Sequence, residues 1–566
     1  MTDRHFAFWP GNQPRHLTVP ETNVFFNIVA AAARYPDKAA ILFYDTPISY
    51  RSFQAQAEAI AGFLQHRCNV RAGDRVLLYM QNSPQFVLAT YGILRANAVV
   101  VPVNPMNRTA ELWHYVTDTG ASTAFVAQDL HAQIAPLAGN DLKHLIVATY
   151  SDYIDPQAAA VLRAAGTPPP ELVSAPRLAL DTASSTDIHA WADMLDAALA
   201  PGPSTAAPDD LAVMPYTSGT TGNPKGCMHT HRGLMYSIVA GMQWFSTQQD
   251  AVILSTLPFF HVTGMVGSMH GPLFAGSTMV ILPRWDRDAA ARAIERYRVT
   301  SLQLIAAMVV DLLSHPDIGS FDLSSLKSIR GGGAAMPEAV AQKMRDLLGL
   351  DYVEGYGMSE TMAATHINPV QRPKKQCLGV PLYDVDTRVI DTDTLAEVEA
   401  GASGEVAVHA PNVMLGYWNN PQANADAFID IDGKRFLRTG DLARIDEDGY
   451  FFMVDRLKRM INAAGYKVWP AEVEALLYAH PAIREACVIA SHDAKRGETV
   501  KALVVLKEAF HGDLTPEHVI AWAHDHMAAY KAPRIVEFVS ALPKSPSGKV
   551  QWRELQEQEL ASGKPQ

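Results

Sequence analysis

The sequence predicts an α/β protein: a large N-terminal domain of two doubly wound sheets with a β-rich subdomain, then a small α+β C-terminal domain. Three observations carry this. Short apolar runs alternate with helix-period segments over most of the chain. A later stretch holds short strands punctuated by Asp432-Gly433 and Asp448-Gly449 turns. A charged run, Asp455-Arg456-Leu457-Lys458-Arg459, separates both from a further set of helices and strands.

In chain order, Arg75–Met80 and Ala98–Val103 read as buried strands with a helix at Ser83–Arg95 between them. Thr123–Ala127 and Leu145–Ala148 follow as strands. Ala158–Pro208 is rich in Ala, Pro, Ser and Thr and reads as a surface insertion with little core. Thr278–Leu282 and Ser301–Ile305 read as strands around an amphipathic helix at Asp288–Arg298. Asp386–Asp391, Gly404–Ala410 and Gly449–Val454 read as antiparallel strands. The charged run places a boundary between residues 1–455 and 456–566. Beyond it come a helix (Pro470–Tyr478), strands (Glu485–Ala490, Lys501–Leu506), a helix (Pro516–Met527) and a strand (Arg534–Val539).

Bulk properties exclude several classes. Of 566 residues, 48% are hydrophobic and 19% charged, a globular balance. A net charge of −12 repels phosphate backbones, so nucleic acid is not an expected partner. Cys68, Cys227, Cys377 and Cys487 lie far apart with no CxxC pair, which argues against a disulfide framework or a thiolate zinc site. The first residues lack a basic start with an apolar run, and no stretch reaches the roughly 18 apolar residues of a membrane span. A cytoplasmic location is expected, with peripheral membrane contact left open. A homodimer is the working expectation for assembly.

The most informative segment is Tyr216-Thr-Ser-Gly-Thr-Thr-Gly-Asn-Pro-Lys-Gly226, which follows the apolar strand Leu211–Met214. Its glycines, Gly219 and Gly222 among them, let backbone N–H groups turn toward an anion. Thr217, Ser218, Thr220 and Thr221 add hydroxyls, and Lys225 adds a charge suited to a phosphate. It is not a Walker loop, because Lys225 is flanked by Pro224 and Gly226. Glu354-Gly-Tyr-Gly-Met-Ser-Glu-Thr361 supplies Glu360, whose carboxylate beside phosphates suits Mg²⁺. Further motifs are Pro258-Phe-Phe-His-Val-Thr-Gly264, Arg330-Gly-Gly-Gly-Ala-Ala335, Arg438-Thr-Gly-Asp-Leu442, Asn462-Ala-Ala-Gly-Tyr-Lys467 and Leu542-Pro-Lys-Ser-Pro-Ser-Gly-Lys-Val550. Each alone reads equally as a structural turn, a solvated loop or, for His261, a capping histidine.

In this order the segments resemble the adenylate-forming superfamily, which includes acyl-CoA synthetases, luciferases and the adenylation domains of peptide synthetases. The resemblance implies a mobile C-terminal domain hinged near Lys458, and ATP, Mg²⁺ and coenzyme A as reactants. It implies Lys549 as principal catalytic residue, with Lys225, Glu360 and His261, the last placed between acid and adenylate. Gly333, Ala334 and Ala335 would form the adenine platform; Glu354, Gly355, Tyr356, Gly357 and Ser359 would meet the nucleotide. Asp441 would bind ribose, and Arg456, Lys458 and Lys467 would contact the nucleotide, a plain surface turn being an even alternative for Lys467. Ala464 and Gly465 would line the coenzyme A tunnel, and Glu360 with Thr217 would hold the metal. The acyl pocket would involve His261, Val262, Thr263, Gly264 and Gly331. Arg459 departs from the acidic residue common after the hinge lysine. His229-Thr-His231 lacks a nearby third metal ligand, and Asn412–Tyr417 reads as structural.

The expected reaction joins a small-molecule carboxylic acid to coenzyme A through an acyl-adenylate. The segment Phe259-Phe260-His261-Val262 lacks the Asp that pairs with an amino-acid amine in relatives. Small side chains in Val262–Gly271 and Glu354–Ala364 favour the apolar tail of a medium- or long-chain fatty acid. An aryl or short branched acid, or an acyl carrier protein as acceptor, stays open. A luciferase-like oxygenase and a silent binding module are the remaining rivals.

Overall fold

The computed structural model describes every residue except 1–2, 12, 140, 180–186, 218–223, 334–335, 457–458, 464–465, 494–496, 511, 513, 545–549 and 563–566, and except the side chains of 456, 462, 466, 467, 497 and 562. Two compact units make up the chain. One comprises Ala7–Asp386 with His409–Phe428; the other comprises Met1–Phe6, Thr387–Val408 and Ile429–Gln566. No helix among the described residues is long and apolar enough to cross a membrane.

The larger unit holds two sheets, as the strand–helix alternation predicts. The seven-stranded sheet runs, in spatial order, His229–Thr230, Leu211–Val213, Val99–Val103, Arg75–Tyr79, Thr123–Ala127, His144–Ala148 and Asp187–Ala190. All its pairings are parallel except that of His229–Thr230. The first strand–helix–strand unit shows why it forms. Ser83 caps the helix Pro84–Arg95 by accepting the Phe86 N–H at 3.1 Å, and Pro84 presets the first turn. A helix apolar on every face must be covered on every side; Pro84 through Leu94 are all buried. At Gly92 a Cβ would stand 2.3 Å from Ile60 Cγ2, so only glycine admits the helix Tyr50–His66 this closely.

The nine-stranded sheet runs Val380–Pro381, Ala363–Ile367, Tyr352–Met358, Ser328–Gly332, Ser301–Gln303, Val252–Ser255, Thr278–Ile281, Ala39–Phe43 and Thr46–Ser49. Its interior pairs are parallel and its outer pairs antiparallel. The helix expected at Asp288–Arg298 is Arg287–Tyr297, capped by Asp286 accepting the Ala289 N–H at 2.7 Å.

The segment Ala158–Pro208 differs from expectation. It supplies the edge strand Asp187–Ala190, parallel to His144–Ala148, and buries Val173, Trp191 and Met194 completely or nearly so. An edge strand pairs on one side only, so four residues and a few apolar anchors suffice within a polar, Ala/Pro-rich run.

In the smaller unit a β-rich sheet runs Asp386–Ile390, Ser403–His409, Lys434–Ile445 and Phe428–Ile431, with Phe451–Arg456 also paired to Lys434–Ile445. Asp432 and Gly433 turn the hairpin at φ 54° and 74°, the left-handed pair that the Asp-Gly signal predicts. The strand Lys434–Ile445 went unread because Thr439-Gly440-Asp441 interrupts its alternation. A second sheet runs Tyr466–Val468, Ile461–Ala463, Gly497–Leu506 and Ile483–Asp493, with Ile535–Phe538 parallel to Gly497–Leu506. The helices Pro470–Leu477 and Pro516–His526 bury Val473, Leu477, Val519 and Ala523 in this unit's core.

Candidate active site

The buried strand Leu211–Val213 feeds a short antiparallel hairpin, Tyr216–Thr217 against Lys225–Gly226, with Thr217 opposite Lys225. Ser218, Gly219, Thr220, Thr221 and Gly222, between these strands in sequence, lie outside the described residues. Two bonds pin the hairpin. The Tyr216 hydroxyl donates to Asp118 Oδ2 at 2.6 Å, and His114 Nε2 donates to the Pro224 carbonyl at 2.7 Å. Burial and the Asp118 carboxylate hold the Tyr216 hydroxyl protonated, far above its ordinary range.

One side chain joins the lysine to the acid of the second motif. Lys225 Nζ stands 4.2 Å from the Tyr417 ring centroid. The Tyr417 hydroxyl donates to Glu360 Oε1 at 2.8 Å. Burial and Glu360 push the Tyr417 pKa well up, so the phenol stays a donor. The backbone ties the same segments: Cys227 bridges Tyr417, and the Met414 N–H donates to the Glu360 carbonyl at 2.8 Å. The run Asn412–Tyr417, read from the sequence as structural, thus sets Tyr417 between the two charges. Its Leu-Gly-Tyr composition looks like any buried turn, and only the fold brings Tyr417 to both charges.

The turn Ser359–Thr361 is fixed from below. His229 Nε2 donates to the Ser359 carbonyl at 2.7 Å, and Asn412 Nδ2 donates to the Thr361 carbonyl at 2.6 Å. Burial lowers the His229 pKa to about 4, so its ring is a neutral donor. His231 instead accepts the Val24 N–H at 3.2 Å. The two histidines thus serve separate backbone groups and not one metal. Elsewhere, Cys68, His144 and His189 bring three ligand-type atoms within 4.8 Å of one another beside the sheet edge. Burial raises the Cys68 thiol to about 12 and lowers both imidazoles, so the group packs uncharged.

The glycine motif Arg330–Ala335 ends the strand Ser328–Gly332, parallel to Tyr352–Met358 with Gly331 opposite Glu354 and Gly332 opposite Gly355. A Cβ on Gly331 would meet the Leu304 carbonyl oxygen at 1.9 Å, and Gly333 turns at φ 83°. Ala334 and Ala335 lie outside the described residues. Glu354 Oε1 accepts the Met336 N–H at 2.9 Å, and burial raises its carboxyl to about 7. Tyr356 is buried edge-on to His366 at 5.7 Å, and Gly357 pairs with Ala364 across the adjoining strand.

His261 caps the turn Val262–Gly264, its Nδ1 accepting the Thr263 N–H at 3.4 Å. A partly open cavity of about 60 Å³ lies between the helix His231–Trp244, residues 263–267 and the nine-stranded sheet. Thr263, Ala363 and Ala364 help line it, from both segments with small side chains. Val262 sits in the hydrophobic core, and Gly264 abuts the Pro258 carbonyl. Arg330 and Gln303 also line the cavity, a contribution the sequence did not suggest.

In the smaller unit, Asp441 is buried beside a turn held by Glu405. Glu405 Oε2 accepts from Arg438 Nη2 at 2.6 Å, and its Oε1 accepts the Gly440 N–H at 3.0 Å. Glu405 is thus a positioning residue the sequence reading missed. Arg456 pairs with Asp441 and Lys467 with Asn462 through backbone register. Arg459 is bound by Glu474 and approaches Asp455 at 4.0 Å. Lys458, Ala464, Gly465 and Lys549 lie outside the described residues.

The model of the AMP-binding enzyme family matches residues 28–418, and that of its C-terminal domain matches 472–549. A long-chain-fatty-acid–CoA ligase of Bacillus subtilis (strain 168) is 34% identical, covering 98% of this chain and 97% of that protein. A feruloyl-CoA synthase of an Amycolatopsis species is 32% identical over 92% of this chain and 96% of its own. Among solved structures, an ATP-bound RpMatB–BxBclM chimera superimposes with a TM-score of 0.81 at 26% identity, covering 96% of this chain and all of that one. A Mycobacterium tuberculosis fatty acyl CoA synthetase gives 0.69 at 26% identity, covering 95% of this chain and 99% of its own. With two family domains in sequence and full-length relatives, the chain belongs to the AMP-binding enzyme family, among its acid–CoA ligases.

Proposed function

We propose that the chain joins a medium- or long-chain fatty acid to coenzyme A, using ATP and Mg²⁺. The observation that carries this is the placement of Lys225 and Glu360 on one Tyr417 side chain, with Lys225 closing the hydroxyl-rich motif in sequence. The fatty-acid assignment draws on relatives such as the Bacillus subtilis ligase and on the small residues lining the cavity.

A carboxylate needs activation because its leaving group would be oxide. Its oxygen attacks the α-phosphorus of ATP, the bond to the β-phosphate bridge breaks, and pyrophosphate leaves. The protein's task is to hold two anions together and meet the charge that builds. Lys225 and Lys549 supply positive charge, and Asp441 accepts the ribose hydroxyls. Glu360, a buried hard-oxygen donor held by Tyr417, suits Mg²⁺, with the Thr217 hydroxyl nearby in sequence to the loop. Bound there, the ion would neutralise phosphate charge. In the second half-reaction the thiol of coenzyme A loses its proton, the sulfur–carbonyl bond forms, and AMP leaves. Lys549 serves the first half and Gly465 the second. A dodecyl tail needs more than the cavity of about 60 Å³. Met242, unbranched and adaptable, lines it, and Gly241 faces open space.

The test is pyrophosphate release with ATP, Mg²⁺ and dodecanoate, with and without coenzyme A. Multiple turnovers only with coenzyme A are expected. One equivalent per enzyme, unchanged by coenzyme A, would point to a carrier-protein acceptor; no release would overturn the fatty-acid assignment. Lys549→Ala should abolish adenylate formation yet spare thioester formation from supplied acyl-adenylate, and Gly465→Leu should do the reverse. Loss of the same half-reaction in both variants would refute this division.

A further inference from the structure

Arg330 presents an anomaly in the wall of the acyl cavity. It is 4% exposed, on the central strand Ser328–Gly332, and its guanidinium lies over the Phe245 ring, 4.3 Å from the centroid. Its Nη2 is buried with no hydrogen-bond partner among the described residues. No acidic side chain is among the described residues that line the cavity. The polar wall is already engaged in part: Ser237 Oγ accepts from Asn412 Nδ2 at 3.2 Å, and Gln303 Oε1 accepts from Ser268 Oγ at 3.1 Å. A ring face offsets part of the lost hydration of a cation, but leaves the in-plane N–H donors unmet. Burial with no counter-charge lowers the guanidinium pKa to about 10, which still leaves it charged at neutral pH. A plain hydrocarbon tail in this cavity would bury that cation against methylenes, the least favourable partner for it.

We infer that the cavity around Arg330 recognises a carboxylate at the far end of the acid's tail, so that the preferred substrate class is a long-chain dicarboxylic acid. This rests on the acid–CoA ligase reading and names the substrate of the same site. A tail carboxylate accepts the planar guanidinium through two N–H groups, satisfies the buried Nη2 and removes the unpaired charge. Arg330 is then a specificity-determining residue that touches the tail.

The experiment compares dodecanedioate with dodecanoate as acids for the full-length protein, reading kcat and KM separately. For the wild type, kcat/KM should favour the diacid by tenfold or more, chiefly through KM. Arg330→Met should reverse the order, and Arg330→Lys should restore part of the diacid preference. If Arg330→Met does not fold, the wild-type ratio alone decides, and a preference for dodecanoate overturns the inference. An unchanged ratio in Arg330→Met also overturns it. Activity with dodecanoate alone leaves the ligase reading intact while removing this one. Should neither acid release pyrophosphate, the fatty-acid assignment fails while the ligase family stands, and calorimetric titration with each acid decides. Tighter binding of the diacid that is lost in Arg330→Met supports the inference; equal binding removes it.

Discussion

Two arginines in this chain are handled in opposite ways. In the smaller unit, Arg459 is mostly buried and held by Glu474, which also accepts the Val488 N–H at 2.8 Å. In the larger unit, Arg330 is more deeply buried and has an aromatic ring where Arg459 has carboxylates. Folding explains the first and leaves the second open, since a charge unpaired in the folded chain is a cost that function must justify. Charge pairing within the fold marks architecture, and a missing partner marks where a ligand is to come.

The sharpest way to break this contrast is stability. Glu474→Ala strands a buried guanidinium and should cost about 3–5 kcal/mol in denaturant unfolding. Arg330→Met removes an unpaired charge and should be neutral or stabilising by about 1 kcal/mol or more. Equal losses for both variants would show that Arg330 has a partner within the fold. The next effect in size concerns Glu354, whose carboxyl burial raises to about 7 from 4.5. The folded state therefore binds this proton more tightly than the unfolded chain. Stability should rise by about 1–3 kcal/mol as pH falls from 7 towards 4.5, and Glu354→Gln should flatten that rise. A smaller effect is expected at the paired centre. Tyr417→Phe keeps the ring under Lys225 but removes the bond to Glu360, so adenylation should fall about tenfold, or about 1.4 kcal/mol. An unchanged rate would reduce Tyr417 to packing. The smallest concerns Gly241, where an added Cβ meets open space. Gly241→Ala should stabilise the helix by about 0.5–1 kcal/mol while raising KM for long acids.

Much of this architecture was legible in advance, for reasons that differ by element. Pro84–Arg95 announced itself through Ser83, Pro84 and a mostly apolar run, all local signals. The hairpin at Asp432-Gly433 was equally local, because two left-handed residues demand that dipeptide. Lys225 and Glu360 were marked by motif chemistry. Tyr417, Arg330 and Glu405 were not, because their roles depend on what stands opposite them. Arg330 sits beside glycines that drew the eye to the nucleotide, while its side chain enters the cavity on the sheet's other business. Asp187–Ala190 was missed because its strand character comes from the register His144 to Asp187 and not from its own four residues.

All four cysteines are buried and unbridged, and burial lifts the thiols of Cys68 and Cys487 to about 12 and that of Cys227 well above the ordinary range. Alkylating reagents attack thiolates, so the native chain should stay unlabelled by iodoacetamide at neutral pH. Cys227 bridges Tyr417 directly beside Lys225. Its rate of modification is therefore a chemical clock for how often the hairpin of Tyr216–Thr217 and Lys225–Gly226 peels open, readable by mass spectrometry on the unmutated protein.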